Sequence, residues 1–127
     1  MKTEIRHSLL LGSFLLFLAV GIGAFGAHGL QNIVTEKYLK TYSTGVTYQF
    51  YHAFALIILG LLAKSFDSLK IKPVLYAFGV GILLFSFNCY FYALTQIKIF
   101  AMIVPLGGLL FLVGWLTLFI QLYRKIK

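Results

Sequence analysis

Charged residues divide the chain into four long apolar windows. Cut at every Lys, Arg, Asp and Glu, the sequence leaves His7–Thr35, Thr41–Ala63, Pro73–Ile97 and Ile99–Tyr123. A helix that crosses a bilayer needs about 20 mostly apolar residues at about 1.5 Å each, and every window is long enough. A membrane-barrel strand would show about 10 residues of alternating polarity. Runs such as Leu9–Val20 and Ile99–Leu106 show no such alternation. The pattern predicts spans near Ser8–Leu30, Val46–Ala63, Val74–Leu94 and Phe100–Leu122. The expected fold class is an all-α membrane protein, with four transmembrane helices in one antiparallel bundle and both termini cytoplasmic. Left-handed crossings of about 20° are the ordinary geometry for such a bundle.

The connections differ in character. Gln31–Gly45 mixes Glu36, Lys37, Lys40, Thr41 and Ser43 with Ile33, Val34, Tyr38, Leu39 and Tyr42. That mixture fits a short amphipathic helix lying in the interface, and Tyr38, Tyr42 and Tyr123 suit the headgroup zone. Lys64–Lys72 is short and polar and runs into Pro73, a good first-turn residue for the third helix. Only a few residues around Gln96–Lys98 join the last two spans, which predicts a tight hairpin. Lys and Arg set the orientation. Lys2, Arg6, Lys64, Lys70, Lys72, Arg124, Lys125 and Lys127 fall on one side; Lys37, Lys40 and Lys98 fall on the other. The bias places both termini inside and argues against dual topology.

Composition sharpens the picture. Of 127 residues, 61% are hydrophobic and 11% charged, against roughly 45–50% and about 25% in soluble domains. Lipid must cover much of that surface, in one compact unit. The formal net charge is +8, but its clusters flank apolar runs, which suits topology and anionic headgroups better than nucleic acid. Cys89 is the only cysteine, so no intrachain disulfide exists, and a small buried hydrophobe is its ordinary role. Lys2 and Arg6 before an apolar run also resemble a secretory signal, with Ala24-Phe25-Gly26 as a cleavage site. The apolar stretch exceeds the usual h-region of about 7–15 residues, which favours an uncleaved first span.

No Asp, Glu, Lys or Arg lies within a span. The carboxylates are Glu4, Glu36 and Asp67, all in terminal or connecting segments. This excludes paired-carboxylate chemistry at depth and argues against proton-coupled carriers, which need an ionisable group there. Small multidrug exporters share the length and span count, but they need an intramembrane glutamate that this chain lacks. No phosphate loop, Ser-His-Asp set or Cys/His cluster of metal type is present, so neither a cofactor nor a metal is expected. What remains is His28, Gln49, His52, Asn88 and Gln96, with Pro105 interrupting the last span. All fall in the outer half of the expected bundle, and Gln49 and His52 are close on one helix face. A buried imidazole or amide needs a hydrogen-bond partner. Two readings stay open. In one, these groups knit the helices together. In the other, His28, Gln49, His52 and Asn88 line an outward-facing pocket for a small molecule or a lipid headgroup. An enzyme reading would need more beside the two histidines than the sequence supplies. Small residues add a packing signal. Gly12, Ala19, Gly23, Gly26 and Ala27 recur along the first span, and Gly107, Gly108 and Gly114 along the fourth. Such residues let neighbouring helices approach, within one chain or between copies. Trp115 sits too deep for an interfacial belt and reads as a packing residue.

Several stretches together resemble one small membrane family. They are Gly23-Ala24-Phe25-Gly26-Ala27-His28-Gly29-Leu30, Tyr48-Gln49-Phe50-Tyr51-His52-Ala53, Pro105-Leu106-Gly107-Gly108 and Gly114-Trp115. The family is domain of unknown function family 423, also called uncharacterised protein family 0382, with transmembrane protein 256 as a relative. The resemblance covers nearly the whole chain. It implies a multi-pass cell-membrane protein with no established activity, and it marks His28, Gln49, His52 and Pro105 as motif positions. Phe87 and Asn88 depart from the small residues expected there, which predicts looser packing of the third helix. Membrane lipids, a second copy or another membrane protein are the expected partners.

Overall fold

The computed structural model describes residues 1–127. Four helices account for nearly all of them: α1 Thr3–His28, α2 Glu36–Ser65, α3 Lys72–Thr95 and α4 Lys98–Ile126. All four are long and apolar enough to cross a membrane. The helices α2, α3 and α4 extend beyond the expected spans at both ends, into their charged flanks, whereas α1 starts earlier, at Thr3, and ends at His28.

The largest departure lies between α1 and α2. There is no separate interfacial helix. A turn of 3-10 helix at Leu30–Asn32 follows α1, and Glu36–Gly45 forms the first turns of α2 itself. No proline interrupts that stretch, and Gly45 stays helical because it sits against α3. A Cβ there would come within 2.8 Å of Cys89 and Tyr90. Tyr42 is therefore buried, turned into the bundle. Its hydroxyl donates to the Ile22 carbonyl at 2.5 Å. At about 1.5 Å per residue, α2 spans roughly 45 Å.

The other joints follow from local chemistry. Pro73 stands in the first turn of α3. Gln96 closes α3 in the left-handed conformation, φ 61° and ψ 18°. Ile97 then leads directly into α4, so the expected tight hairpin is present.

Buried positions follow a repeat of 3.5. On α1 they are Ile5, Ser8, Gly12, Leu15, Ala19 and Gly26. On α2 the series Tyr42, Gly45, Gln49, His52, Leu56, Leu59 and Ala63 is buried throughout. Steps of three and four keep one seam facing the partner, which is the signature of left-handed packing. The helices α2 and α3 form the centre, α1 packs along α2, and α4 packs along α3. The flanking helices α1 and α4 do not meet. Within the apolar stretch of α3, 56% of residues are buried, against 17% in α4.

The expected looseness around Phe87 and Asn88 is overturned. A π-turn runs from Leu83 to Phe87 inside α3. Such a turn displaces backbone carbonyls from their normal partners. The Asn88 amide folds back onto its own helix and donates to the carbonyls of Leu83 (3.1 Å) and Leu84 (3.0 Å). Asn88 is buried with its amide nitrogen satisfied within its own helix, and α4 crosses α3 closely beside the turn. A Cβ on Gly107 would collide with the Phe85 backbone nitrogen and stand 2.8 Å from the Gly81 carbonyl oxygen.

Candidate functional site

The candidate polar residues of the sequence, taken one by one, do not form a single pocket. Gln49 and His52 are three residues apart on α2 and both buried, yet they serve different neighbours. Three residues along a helix turn a side chain by about 60° in net direction. That is enough to send Gln49 toward α1 and α3 and His52 toward α4.

Gln49 is fully enclosed. Its Nε2 donates to the Leu15 carbonyl of α1 at 2.8 Å. Its Oε1 accepts the Tyr90 hydroxyl of α3 at 2.5 Å. One amide therefore joins three helices. A second interhelical bond supports the same α1–α2 seam, where the Ser8 hydroxyl donates to the Leu56 carbonyl at 2.6 Å. In lipid, bonds of this kind contribute about 0.6 kcal/mol on average and up to about 1.7. Gln49→Leu and Tyr90→Phe are each expected to lower stability by about 1–2 kcal/mol, and the double variant to fall no further than the worse single one. Unfolding in detergent tests this; strictly additive losses would deny the contact.

His52 sits in an aromatic enclosure. Its ring stacks on Phe111, centroids 3.5 Å apart and planes 11° apart. Phe78 meets it edge-on at 5.3 Å. Nδ1 lies 2.8 Å from the Tyr48 carbonyl, and Nε2 accepts the Trp115 indole N–H at 3.0 Å. An indole can only donate, so Nε2 is the acceptor and Nδ1 carries the proton. Both ring nitrogens are thereby engaged inside the protein. Trp115 packs on Phe78 and reaches back to α2 through this bond, while its other side is exposed on the outer face of α4. With Lys40 and Lys64 at either end of α2, His52 stands midway between them along the helix.

The remaining candidates lie elsewhere. His28 ends α1 and is exposed; it takes no part in the enclosure around His52. The pocket shared by the two histidines, Gln49 and Asn88 is therefore absent. Asn88 bonds only to its own helix. Gly26 is needed for close approach, since a Cβ there would meet the Tyr42 ring at 2.5 Å. Gly23 faces Val46 more loosely, at 3.3 Å. Ala27 is exposed and does not extend the ladder of small residues. Gly107 is at the tight α3–α4 crossing, whereas a Cβ on Gly108 would find Phe85 only at 3.7 Å, an ordinary contact. Pro105 is exposed on α4, which continues through it as one helix. A crevice of about 260 Å³ opens between the ends of α1 and α2, lined by Gly23, Gly26, Gln31, Tyr42, Ser43 and Thr47 among others. None of His28, Gln49, His52 or Asn88 lines it. No three His, Cys, Asp or Glu side chains converge anywhere in the fold.

The sequence model of the family described as a protein of unknown function (DUF423) matches residues 22–108. The chain belongs to the DUF423 family. It is similar to UPF0382 membrane protein SSP2132 of Staphylococcus saprophyticus, 42% identical over 116 residues, which is 91% of this chain and 96% of that one. It is also similar to UPF0382 membrane protein YwdK of Bacillus subtilis, 40% identical over 111 residues, covering 87% of this chain and 90% of the relative. UPF0382 membrane protein SAB0533 of Staphylococcus aureus is 40% identical over 116 residues, covering 91% and 94%. No solved structure matches. The chain is thus a multi-helix membrane protein of a family whose function is unknown.

The DUF423 match takes in the second part of α1, all of α2 and α3, and the start of α4 through Gly108. It includes Gln49, His52 and the Gly81–Gly107 crossing, but Trp115 and Phe111 lie beyond it. Sequence reasoning overlooked Ser8, Tyr42, Tyr90 and Phe111 as partners. The series Tyr42, Gly45, Gln49, His52 and Leu56 carried a usable signal for Tyr42, since its steps of three and four mark one continuous seam. Tyr90 and Phe111 carried none, because an aromatic residue in an apolar span looks the same facing lipid or facing a glutamine.

Proposed function

We propose that this protein is a non-catalytic component of the cell membrane that acts through its outer helix faces, meeting lipid or a second membrane protein there. The observation that supports this reading is the inward pairing of every deep polar candidate. His52 uses both ring nitrogens, Gln49 uses both ends of its amide, and Asn88 mends its own helix. Polar groups so committed hold a bundle together and leave little to offer a small molecule. The outer helices instead present broad apolar surfaces, with Phe14, Phe17 and Val20 exposed on α1 and Leu112, Leu116 and Phe119 on α4.

Native mass spectrometry of protein extracted in its own lipids tests the reading. Wild type, His28→Ala and His52→Ala are expected to carry the same lipid adducts. A small-molecule adduct lost specifically on His52→Ala would sink it.

The proposed orientation puts both termini in the cytoplasm. The N-terminus, the α2–α3 connection and the C-terminal turn of α4 share one end of the bundle. Lys2 Nζ donates to the Asp67 carbonyl at 3.0 Å, Lys70 and Gln121 exchange two bonds at 2.8 and 2.9 Å, and Lys125 donates to Ser68. Eight of the eleven Lys and Arg residues lie at that end, and such an excess faces the cytoplasm. Single cysteines placed at Lys37 and Lys70 in a Cys89→Ala background are expected to label from opposite sides of intact cells, Lys37 from outside. Labelling of Lys70→Cys from outside would reverse the orientation.

A further inference from the structure

We propose that the cleft between α1 and α3, at the basic end of the bundle, is a binding site for one anionic phospholipid. One acyl chain would lie in an apolar groove and the phosphate-bearing head in a lysine-lined cavity above it. This rests on the reading that the outer faces are where the protein meets its partners, and it names the partner of one such face.

Packing makes the groove. Along its length α1 lies against α2 and meets α3 only sparingly. The gap has a volume of about 580 Å³. Leu10, Leu11 and Phe14 form one wall and Tyr76, Val80 and Leu83 the other. Gly79 lies between them, where a Cβ would just reach Leu11 at 3.4 Å. From His7 to Phe14 on α1, and from Leu75 to Leu83 on α3, the groove runs roughly 10–12 Å along the helices. One leaflet of hydrocarbon is about 15 Å deep, half of a core of roughly 30 Å. Surface of this kind within a bilayer is filled by acyl chain.

What gives the groove a preference is the cavity directly above it. The same two helices continue upward and, with the α2–α3 connection, enclose about 520 Å³ lined by Lys2, Glu4, Asp67, Lys70 and Lys72 among others. On α1 the sequence passes from Lys2 and Glu4 in the cavity to His7 in the groove. On α3 it passes from Lys72 and Pro73 to Leu75 and Tyr76. Head and tail sites are thus stacked in the order a phospholipid requires. Three lysines outnumber the two carboxylates. In addition, α3 opens here without a side-chain cap and without an acidic residue in its first turn, so no carboxylate of that turn offsets its positive dipole end. Charge complementarity selects an anionic over a zwitterionic head, because basic groups at a membrane surface attract anionic lipids.

The test uses purified protein in nanodiscs of phosphatidylglycerol and phosphatidylcholine in equal amounts with matched chains, read by native mass spectrometry. The first retained lipid is expected to be phosphatidylglycerol at least threefold over phosphatidylcholine. Lys70→Gln/Lys72→Gln, two exposed side chains, should abolish that preference. Lys37→Gln/Lys40→Gln removes equal charge from the opposite end and should leave it intact. Gly79→Leu fills the groove and should reduce the first adduct of both lipids by at least threefold. Equal adducts on wild type, a preference surviving Lys70→Gln/Lys72→Gln, or equal loss in both lysine pairs would overturn the site. An undiminished adduct on folded Gly79→Leu would overturn the groove. None of these results depends on His52, so failure here leaves the broader reading to its own test.

Discussion

Gly107→Ala is expected to break the α3–α4 packing, while Gly108→Ala, one residue on, is expected to stabilise the same helix. The two glycines are alike in sequence and differ only in what lies opposite. At Gly107 a new methyl group would collide with the backbone nitrogen of Phe85 and come within 2.8 Å of the Gly81 carbonyl. Backbone cannot swing aside as a side chain can, so α3 and α4 would have to separate over several turns. Overpacking ordinarily costs about 1–3 kcal/mol, and the upper end applies where both opposing groups are main chain. The gain from removing a helical glycine, roughly 0.5–1 kcal/mol, offsets only part of that. At Gly108 the nearest group is the Phe85 ring at 3.7 Å, so the propensity gain stands alone. Thermal unfolding in detergent distinguishes them. Equal behaviour of the two variants would show that this crossing is not the tight one.

His52→Ala is the second large effect, expected to cost about 2–4 kcal/mol. It removes the ring stacked on Phe111, leaves a cavity beside Phe78, and strips the Trp115 indole of its acceptor. His52→Phe separates these terms. It keeps an aromatic ring for Phe111 and loses both hydrogen bonds, so about half of the loss is expected. Trp115 is the only tryptophan in the chain, so tryptophan fluorescence reports on the surroundings of this one indole. Emission should shift to shorter wavelength in both variants, because the indole N–H loses its bond. Unchanged stability together with unchanged emission would mean that His52 and Trp115 do not meet.

Much of this architecture was legible in the order of residues. Lys37, Lys40, Lys64, Lys72 and Lys98 mark where each apolar run ends. Pro73 announces the start of α3, and the short Gln96–Lys98 link requires a hairpin. The absence of charge within the spans restricted the deep chemistry to amide, hydroxyl, imidazole and indole groups. Those features are set by the water–lipid boundary, which acts on each residue separately, so a one-dimensional pattern records them.

The site was not legible in the same way. Four polar residues in the outer half of neighbouring spans suggested one pocket, yet His28 lies at an exposed helix end and Asn88 turns onto its own π-turn. Gln49 and His52 part company within one turn of α2. The amphipathic segment read between the first two spans became the start of α2, burying Tyr42. In water, the apolar face of a helix is the buried face. In a bilayer both faces are apolar, and hydropathy no longer says which one meets a helix and which meets lipid. The sequence alone therefore determined the number and order of the helices and which end of the bundle is basic. Only the tertiary structure decided how each helix is rotated, because that depends on a few close backbone approaches and hydrogen bonds between residues far apart in the chain. The tight Gly107, the permissive Gly108, the Gln49–Tyr90 bond and the open cleft beside Gly79 all follow from those rotations.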